Sequence, residues 1–325
     1  MKRWIAILVA LVLALSLTAC GGAATEPKEE PKPSEPIQTD TGTPALPNEP
    51  TEPTKPAEPT EPAEPAEPAE PERDYVLEHN VVVDDENCLF VITGMEEDYG
   101  EIVFNVYVEN RTDLTLMFAL DNVLINGYLN DPYWATEVAP GKKANSAFTF
   151  DKDTLKKYDL LPIDELRFTL RAYDSDDWSA DDLLNDIFTV YPTGMNGEIV
   201  KRPDRIHVEG EQVLVDDDNG TFAILSPDPN GFWGYTLNAY VENKTNDTMM
   251  FAWDDVSVNG FMVNSSWASS VPAHAAGYVT ISFFDSELED NGIKDVEEIE
   301  FTLRMYDDED WDVDAYVEDV FTYKP

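Results

Sequence analysis

The chain has 325 residues and a formal net charge of −45, with 66 acidic residues against 21 lysines and arginines, and only two cysteines and three histidines. Such a balance disfavours binding to nucleic acid or to anionic lipid headgroups, because phosphate contact relies on clustered Lys and Arg. It leaves cationic partners and divalent cations as the charges the surface would attract.

The chain opens with "MKRWIAILVALVLALSLTAC". Lys2 and Arg3 precede an uncharged apolar run from Trp4 to Ala19, and Leu17-Thr18-Ala19-Cys20 leads into Gly21-Gly22. A charged start, an apolar run and a small-residue cleavage site make an export signal. The apolar run is shorter than the roughly 20 residues a spanning helix needs. The "LTAC" stretch resembles the lipobox of bacterial lipoproteins. The resemblance implies cleavage after residue 19 and attachment of a diacylglyceryl group to Cys20, so that the protein reaches the membrane through its lipid. Two acyl chains hold a protein stably where one does so only marginally.

Residues 20–74 change composition. Proline recurs, aromatics are absent, and the segment ends in the triplet repeat "AEPTEPAEPAEPAEPE". Such a stretch has too little apolar surface to fold. Proline and repelling glutamates favour extended conformations of about 3.1 Å per residue, a reach on the order of 150 Å. It is expected to be a disordered Pro/Glu spacer. The signal carries +2 and residues 21–74 carry −10, which leaves −37 on the rest.

That remainder is an internal duplication. "NVYVENRTDLTLMFALDNVLINGY" (105–128) returns as "NAYVENKTNDTMMFAWDDVSVNGF" (238–261), and "LRFTLRAYDSDDW" (166–178) as "IEFTLRMYDDEDW" (299–311), at an offset of 133. The predicted modules span residues 75–193 and 194–325, the second including a short join, 194–206. In each, apolar and polar residues alternate with period two, as in Ile102, Phe104, Val106 and Val108, or Ile299, Phe301, Leu303 and Met305. Asn126-Gly127 and Asn259-Gly260 read as two-residue hairpin turns, since both residues tolerate positive φ. "DKDTLKKYDLL" and "FDSELEDNGI" predict short helices, and "ADDLLNDIF" and "VDAYVEDVF" predict one further turn each. Many short strands in a module of ordinary domain size point to an all-β fold: two tandem immunoglobulin-like β-sandwiches after the disordered tether, with a closed barrel as the alternative for each module.

The motifs "VYVENRTD", "VLINGY", "VAPGKKA" and "LRFTLRAYDSDDW" resemble repeated immunoglobulin-like modules of uncharacterised Gram-positive surface lipoproteins. That resemblance implies a lipid-anchored, extracytoplasmic protein with modules facing outward, and brings no catalytic residue with it. The second module departs from the pattern at "VPAHAAG", where the two lysines of "APGKKA" are lost.

Acidic loops follow one strand of each module: Asp174, Asp176 and Asp177, then Asp307, Asp308 and Asp310. Calcium takes six to eight oxygens, so it is the one cofactor these loops invite, although they lack the glycine of a D-x-D-x-D-G loop. A solvated strand ending accounts for the same residues. Cys88, in the alternating "ENCLFVITG", is expected to be a small buried residue. Trp134 and Trp267 correspond, as do Trp178 and Trp311, and all four are expected to pack in or at the edge of a core. Phe232, Trp233 and Tyr235 in "FWGY" form a motif the first module does not repeat, since it reads "DYGEI" there, and they are the candidate binding aromatics.

His79, His207 and His274 do not accompany a repeated Ser or Cys, and there is no H-E-x-x-H, G-x-S-x-G or phosphate-binding glycine loop. No catalytic residue is assigned. The expected function is noncatalytic: binding, adhesion or scaffolding at the envelope by a monomeric chain, toward a surface protein or glycan. A carbohydrate- or calcium-binding module and, further off, an envelope hydrolase are the alternatives.

Overall fold

A computed structural model describes residues 74–195, 200–309 and 314–325. The predicted signal, Cys20 and the body of the Pro/Glu segment lie outside these residues. In the first module the order is β1 (Asn80–Asp84), β2 (Cys88–Asp98), β3 (Glu101–Asn110), β4 (Leu116–Ile125), β5 (Tyr128–Leu129), β6 (Ala135–Val138), β7 (Lys143–Asp151), α1 (Lys152–Lys157), β8 (Leu166–Asp174) and β9 (Leu184–Val190). The second repeats it as β10 (Gln212–Asp216), β11 (Gly220–Gly231), β12 (Gly234–Asn243), β13 (Met249–Val258), β14 (Phe261–Met262), β15 (Trp267–Val271), β16 (Ala276–Phe284), α2 (Asp285–Asp290), β17 (Ile299–Asp307) and β18 (Val317–Tyr323).

Each module is a sandwich of two antiparallel sheets. In the first, β1-β2-β3-β7 face β4-β8-β9, with β5 and β6 both pairing β4. Counting β2 as the first strand of the key, one sheet holds strands A, B and E and the other C, F and G, with β6 beside C. That is the immunoglobulin-like order, with β1 added outside A. The second module repeats it, with β10-β11-β12-β16 against β13-β17-β18, and with β14 and β15 on β13. The alternation seen in sequence becomes burial: Ile102, Phe104, Val106 and Val108 point into one core, and Ile299, Phe301, Leu303 and Met305 into the other.

Local signals settle the corners. Asn126 and Asn259 sit at φ of 50°, and their side chains hold the next loop as well. The Asn126 amide donates to the Pro162 carbonyl at 2.9 Å, and its Oδ1 accepts from the backbone N–H groups of Asp164 and Glu165. Asn110 is buried, donates to the carbonyls of Leu114 and Val138 at 2.8 Å, and accepts from Thr112; Asn243 and Thr245 repeat this. The expected helices form as α1 and α2. The turns expected in "ADDLLNDIF" and "VDAYVEDVF" are instead strands: residues 184–190 pair with β8 and residues 317–323 with β17, because Leu184 and Val190, and Val317 and Tyr323, complete the two cores.

Cys88 is wholly buried, and desolvation pushes its thiol up to about 12. Its counterpart is Gly220. A Cβ there would lie 2.7 Å from both the Glu242 carbonyl and the Met305 methyl carbon. Met305 corresponds to Ala172 in the first module, so a larger residue on one strand accompanies a smaller one on the other.

The two sandwiches belong to one compact unit. They meet through a joint whose centre is a stack of tyrosines. Tyr278 lies between Tyr128 (5.4 Å between centroids, planes 8° apart) and Tyr158 (3.9 Å). One backbone bond, from Ala276 N–H to the Gly127 carbonyl (3.0 Å), joins β16 to the end of β5, making one sheet across both modules. The join contributes as well. Tyr128 donates to the Pro203 carbonyl (2.9 Å), Tyr278 Oη accepts from Ile206 N–H (2.9 Å), and Arg202 lies over the Tyr128 ring while pairing with Glu242.

Candidate functional site

The acidic loops are built from strand ends. Asp174 Oδ1 accepts from the Asp176 N–H (3.0 Å), and Asp177 Oδ1 from the Ser179 N–H (3.0 Å) and hydroxyl (2.6 Å). These bonds, the Ser179 hydroxyl foremost, hold the Asp177 carboxyl below its usual range. In the second module Asp307 Oδ1 accepts from Glu309 N–H (2.9 Å) and Asp308 from the Ser270 hydroxyl (2.8 Å). Asp310 lies outside the described residues. Asp174, Asp177 and Asp307 thus cap local turns and Asp308 ties its loop to β15, and among the described residues no three His, Cys, Asp or Glu side chains converge as a metal group.

Beside the first loop, Arg171 makes a two-pronged contact with Asp182 (2.8 and 3.1 Å) and reaches Asp121 (3.2 Å). These acids, Asp182 first, raise the guanidinium pKa above its ordinary value. Arg171 lies over the Tyr173 ring, and Tyr173 meets Trp178 at 5.4 Å. Trp178 is nevertheless 77% exposed and does not cover the core as expected, because it sits beyond the end of β8 in a loop, with its ring against Tyr173. Trp134 is buried and Trp267 packs against the second core, while Trp311 lies outside the described residues.

The "FWGY" stretch divides at Gly234. Phe232 (91% exposed) and Trp233 (63%) form the tip of the β11–β12 hairpin. Tyr235 does not join them. It is the second residue of β12, pairs with Phe283 across the sheet, and is buried in the core with its hydroxyl unpartnered. The third surface aromatic is Phe284 (54% exposed), which meets the Trp233 ring edge-on at 6.5 Å. Sequence reading missed Phe284 because the end of a strand gives no sign of which hairpin lies beside it. The counterparts in the first module, Tyr99 and Asp151, form no such cluster.

Phe284 also occupies the N-cap of α2 and offers that helix no side-chain acceptor, whereas Asp151 caps α1 by accepting from Thr154 N–H at 2.7 Å. An apolar N-cap is among the poorest choices for helix stability.

The histidines are scattered. His79 is exposed, His207 contacts Glu211 (2.9 Å), and His274 contacts Asn246 (3.1 Å). A polar cleft of about 300 Å³ opens between the modules, lined by Asn122, Arg167, Thr169, Asn246 and Thr248 among others, and holds none of the histidines. Among the described residues no helix is long and apolar enough to cross a membrane.

No family model matches the chain, and no curated protein is similar to it. Among solved structures, the chain is similar to the SafA pilin of Salmonella enterica in complex with the SafB chaperone, at 14% identity over 69% of this chain and 89% of that one, with a TM-score of 0.18. It is also similar to red sea bream transglutaminase, at 11% identity over 71% of this chain, with a TM-score of 0.18; the chain spans 30% of that protein's length.

Proposed function

We propose that this is an extracytoplasmic lipoprotein, held to the membrane through Cys20, whose tandem modules bind a protein or glycan of the envelope or cell surface without catalysis. The observation that carries the binding role is the cluster of Phe232, Trp233 and Phe284. Three exposed aromatics are held together by two strand ends, and one of them displaces a capping residue that the other module retains. A position that gives up local stability for exposed apolar surface marks an interaction site. Aromatic rings of this kind anchor protein interfaces and stack on sugar faces.

The anchor is tested by Cys20→Ala. Loss of palmitate labelling and release from the membrane fraction are expected, and unchanged labelling would refute it. The binding role is tested by capture from native envelopes with the intact chain and with Phe232→Ala/Trp233→Ala. A ligand, protein or glycan, retained by the first and lost by the second supports the reading, and equal retention by both refutes the role of this cluster.

A further inference from the structure

The joint between the modules is head-to-tail, so each side of it has a counterpart on the other module. The donor side is the residue pair after the Asn-Gly turn: Tyr128, 1% exposed, and Leu129, whose side chain lies 2.9 Å from where a Cβ on Gly277 would sit. Its counterpart is Phe261 and Met262, after Asn259-Gly260, while Asn291 stands where the first module has Tyr158, the other ring on Tyr278. Phe261 and Met262 pair with β13 in the same hairpin register, yet are 51% and 64% exposed. The acceptor side is Ala276, Gly277 and Tyr278 on β16, with Tyr240 beside them. Its counterpart is Lys143, Ala144 and Asn145 on β7, with Tyr107 beside them.

The two unused counterparts have diverged in opposite senses. Lys142 and Lys143 are exposed, and Lys143 pairs with Glu109 at 3.0 Å. Lysines at a sheet edge prevent another chain from adding to it. At the same places the second module has Ala275 and Ala276, both wholly buried, with Ala276 bonded across the joint to Gly127. The first module's edge is therefore closed to a second copy of the chain. The far end of the second module has instead kept two large apolar residues, although nothing in the described chain covers them.

We propose that Phe261 and Met262 form a docking surface for the edge of a further immunoglobulin-like module on another chain. That edge would resemble β16, with two small residues followed by a tyrosine. A basic side chain would lie beside it, as Arg202 lies over Tyr128. The small pair admits Met262 as Gly277 admits Leu129, and the tyrosine stacks on Phe261 as Tyr278 stacks on Tyr128. This names the partner's architecture, and rests on the binding role inferred above.

The test supplies such an edge on the chain itself. Full chain carrying Cys20→Ala, so that no lipid contributes, receives Lys142→Ala, Lys143→Ala, Ala144→Gly and Asn145→Tyr on the first module. Sedimentation across a concentration series should show self-association at least tenfold tighter than that of the chain without the graft. Phe261→Asp/Met262→Asp in the grafted chain should abolish it. A grafted chain that is folded by circular dichroism yet sediments like its parent overturns the proposal, as does association that survives the two aspartates. Self-association of the ungrafted chain through Phe261 would also overturn it, because the lysine edge would then suffice. None of these outcomes bears on the loss of envelope capture by the Phe232/Trp233 variant, which tests the binding role separately.

Discussion

Tyr278 of the second module is clasped between Tyr128 and Tyr158 of the first, with both flanking rings within 8° of parallel. Its hydroxyl also accepts from the join. Removing the ring leaves Tyr128 without its stack and opens the joint to water. Tyr278→Ala is expected to cost about 2–3 kcal/mol of stability and to speed proteolysis of the join near residues 200–206. An unchanged melting temperature together with unchanged cleavage would show that the tyrosines do not hold the modules.

The corresponding pairs Cys88/Ala172 and Gly220/Met305 predict a coupled response. Gly220→Ala forces a methyl group toward the Met305 side chain and the Glu242 carbonyl, and should cost about 1–3 kcal/mol. Met305→Ala alone leaves a cavity and should cost about 2–5 kcal/mol. Together they should cost less than their sum by at least about 0.5 kcal/mol, since the second change removes one of the two clashes of the first. The carbonyl clash remains, so recovery is partial. Strict additivity in a denaturant-based double-mutant cycle would contradict this packing.

Tyr235 gives a test that separates a core role from a surface one. Burial pushes its phenol up to about 12, and its hydroxyl has no hydrogen-bond partner among the described residues. Ile102 occupies the corresponding place in the first module. Tyr235→Phe removes an unsatisfied polar group, so stability should stay level or rise by up to about 1 kcal/mol. Envelope capture should be unaffected, in contrast to Phe232→Ala/Trp233→Ala. A clear loss of stability would mean that the hydroxyl is bonded.

Asp151 makes the acid limb of stability predictable. The Thr154 hydroxyl and backbone N–H hold its carboxyl below the usual range. A depressed folded-state pKa contributes stability above the unfolded value of about 3.9, and that contribution is lost as pH falls through the lower folded value. Asp151→Asn should therefore lower the melting temperature at pH 6 and narrow its gap from the parent between about pH 4 and pH 2. An undiminished gap across that range would exclude the carboxylate as the cause.

Much of this architecture is written locally. Period-two alternation specified β3, β4, β8 and β17, and the Asn-Gly pairs specified the hairpins, because both depend on neighbours a few residues apart. The strands at 184–190 and 317–323 were not legible, since the acidic residues interrupting their apolar positions break the period-two pattern, and only β8 and β17 offer them a partner. The joint was hidden for a similar reason. Tyr128 and Tyr278 are far apart in sequence, and the lost lysines of "VPAHAAG" are only a departure from the first module's pattern until Ala275 and Ala276 are seen buried. At the candidate site the chain signalled the exposed pair Phe232 and Trp233. It could not show that Gly234 turns Tyr235 inward, nor that Phe284 comes from another strand to stand beside them.

The exchange of lysines for alanines has a consequence for how such a chain can grow. In a linear array, terminal repeats carry a polar outer face and internal repeats carry two adhesive ones. The first module is a cap by that criterion, with one end sealed by charge. The second has an internal repeat's faces, one filled by its neighbour and one open. Duplicating the second module would set Phe261 and Met262 against a small-residue edge like β16, with Asn291 in the place of the Tyr158 ring. Duplicating the first would set Lys142 and Lys143 against a tyrosine and stop it.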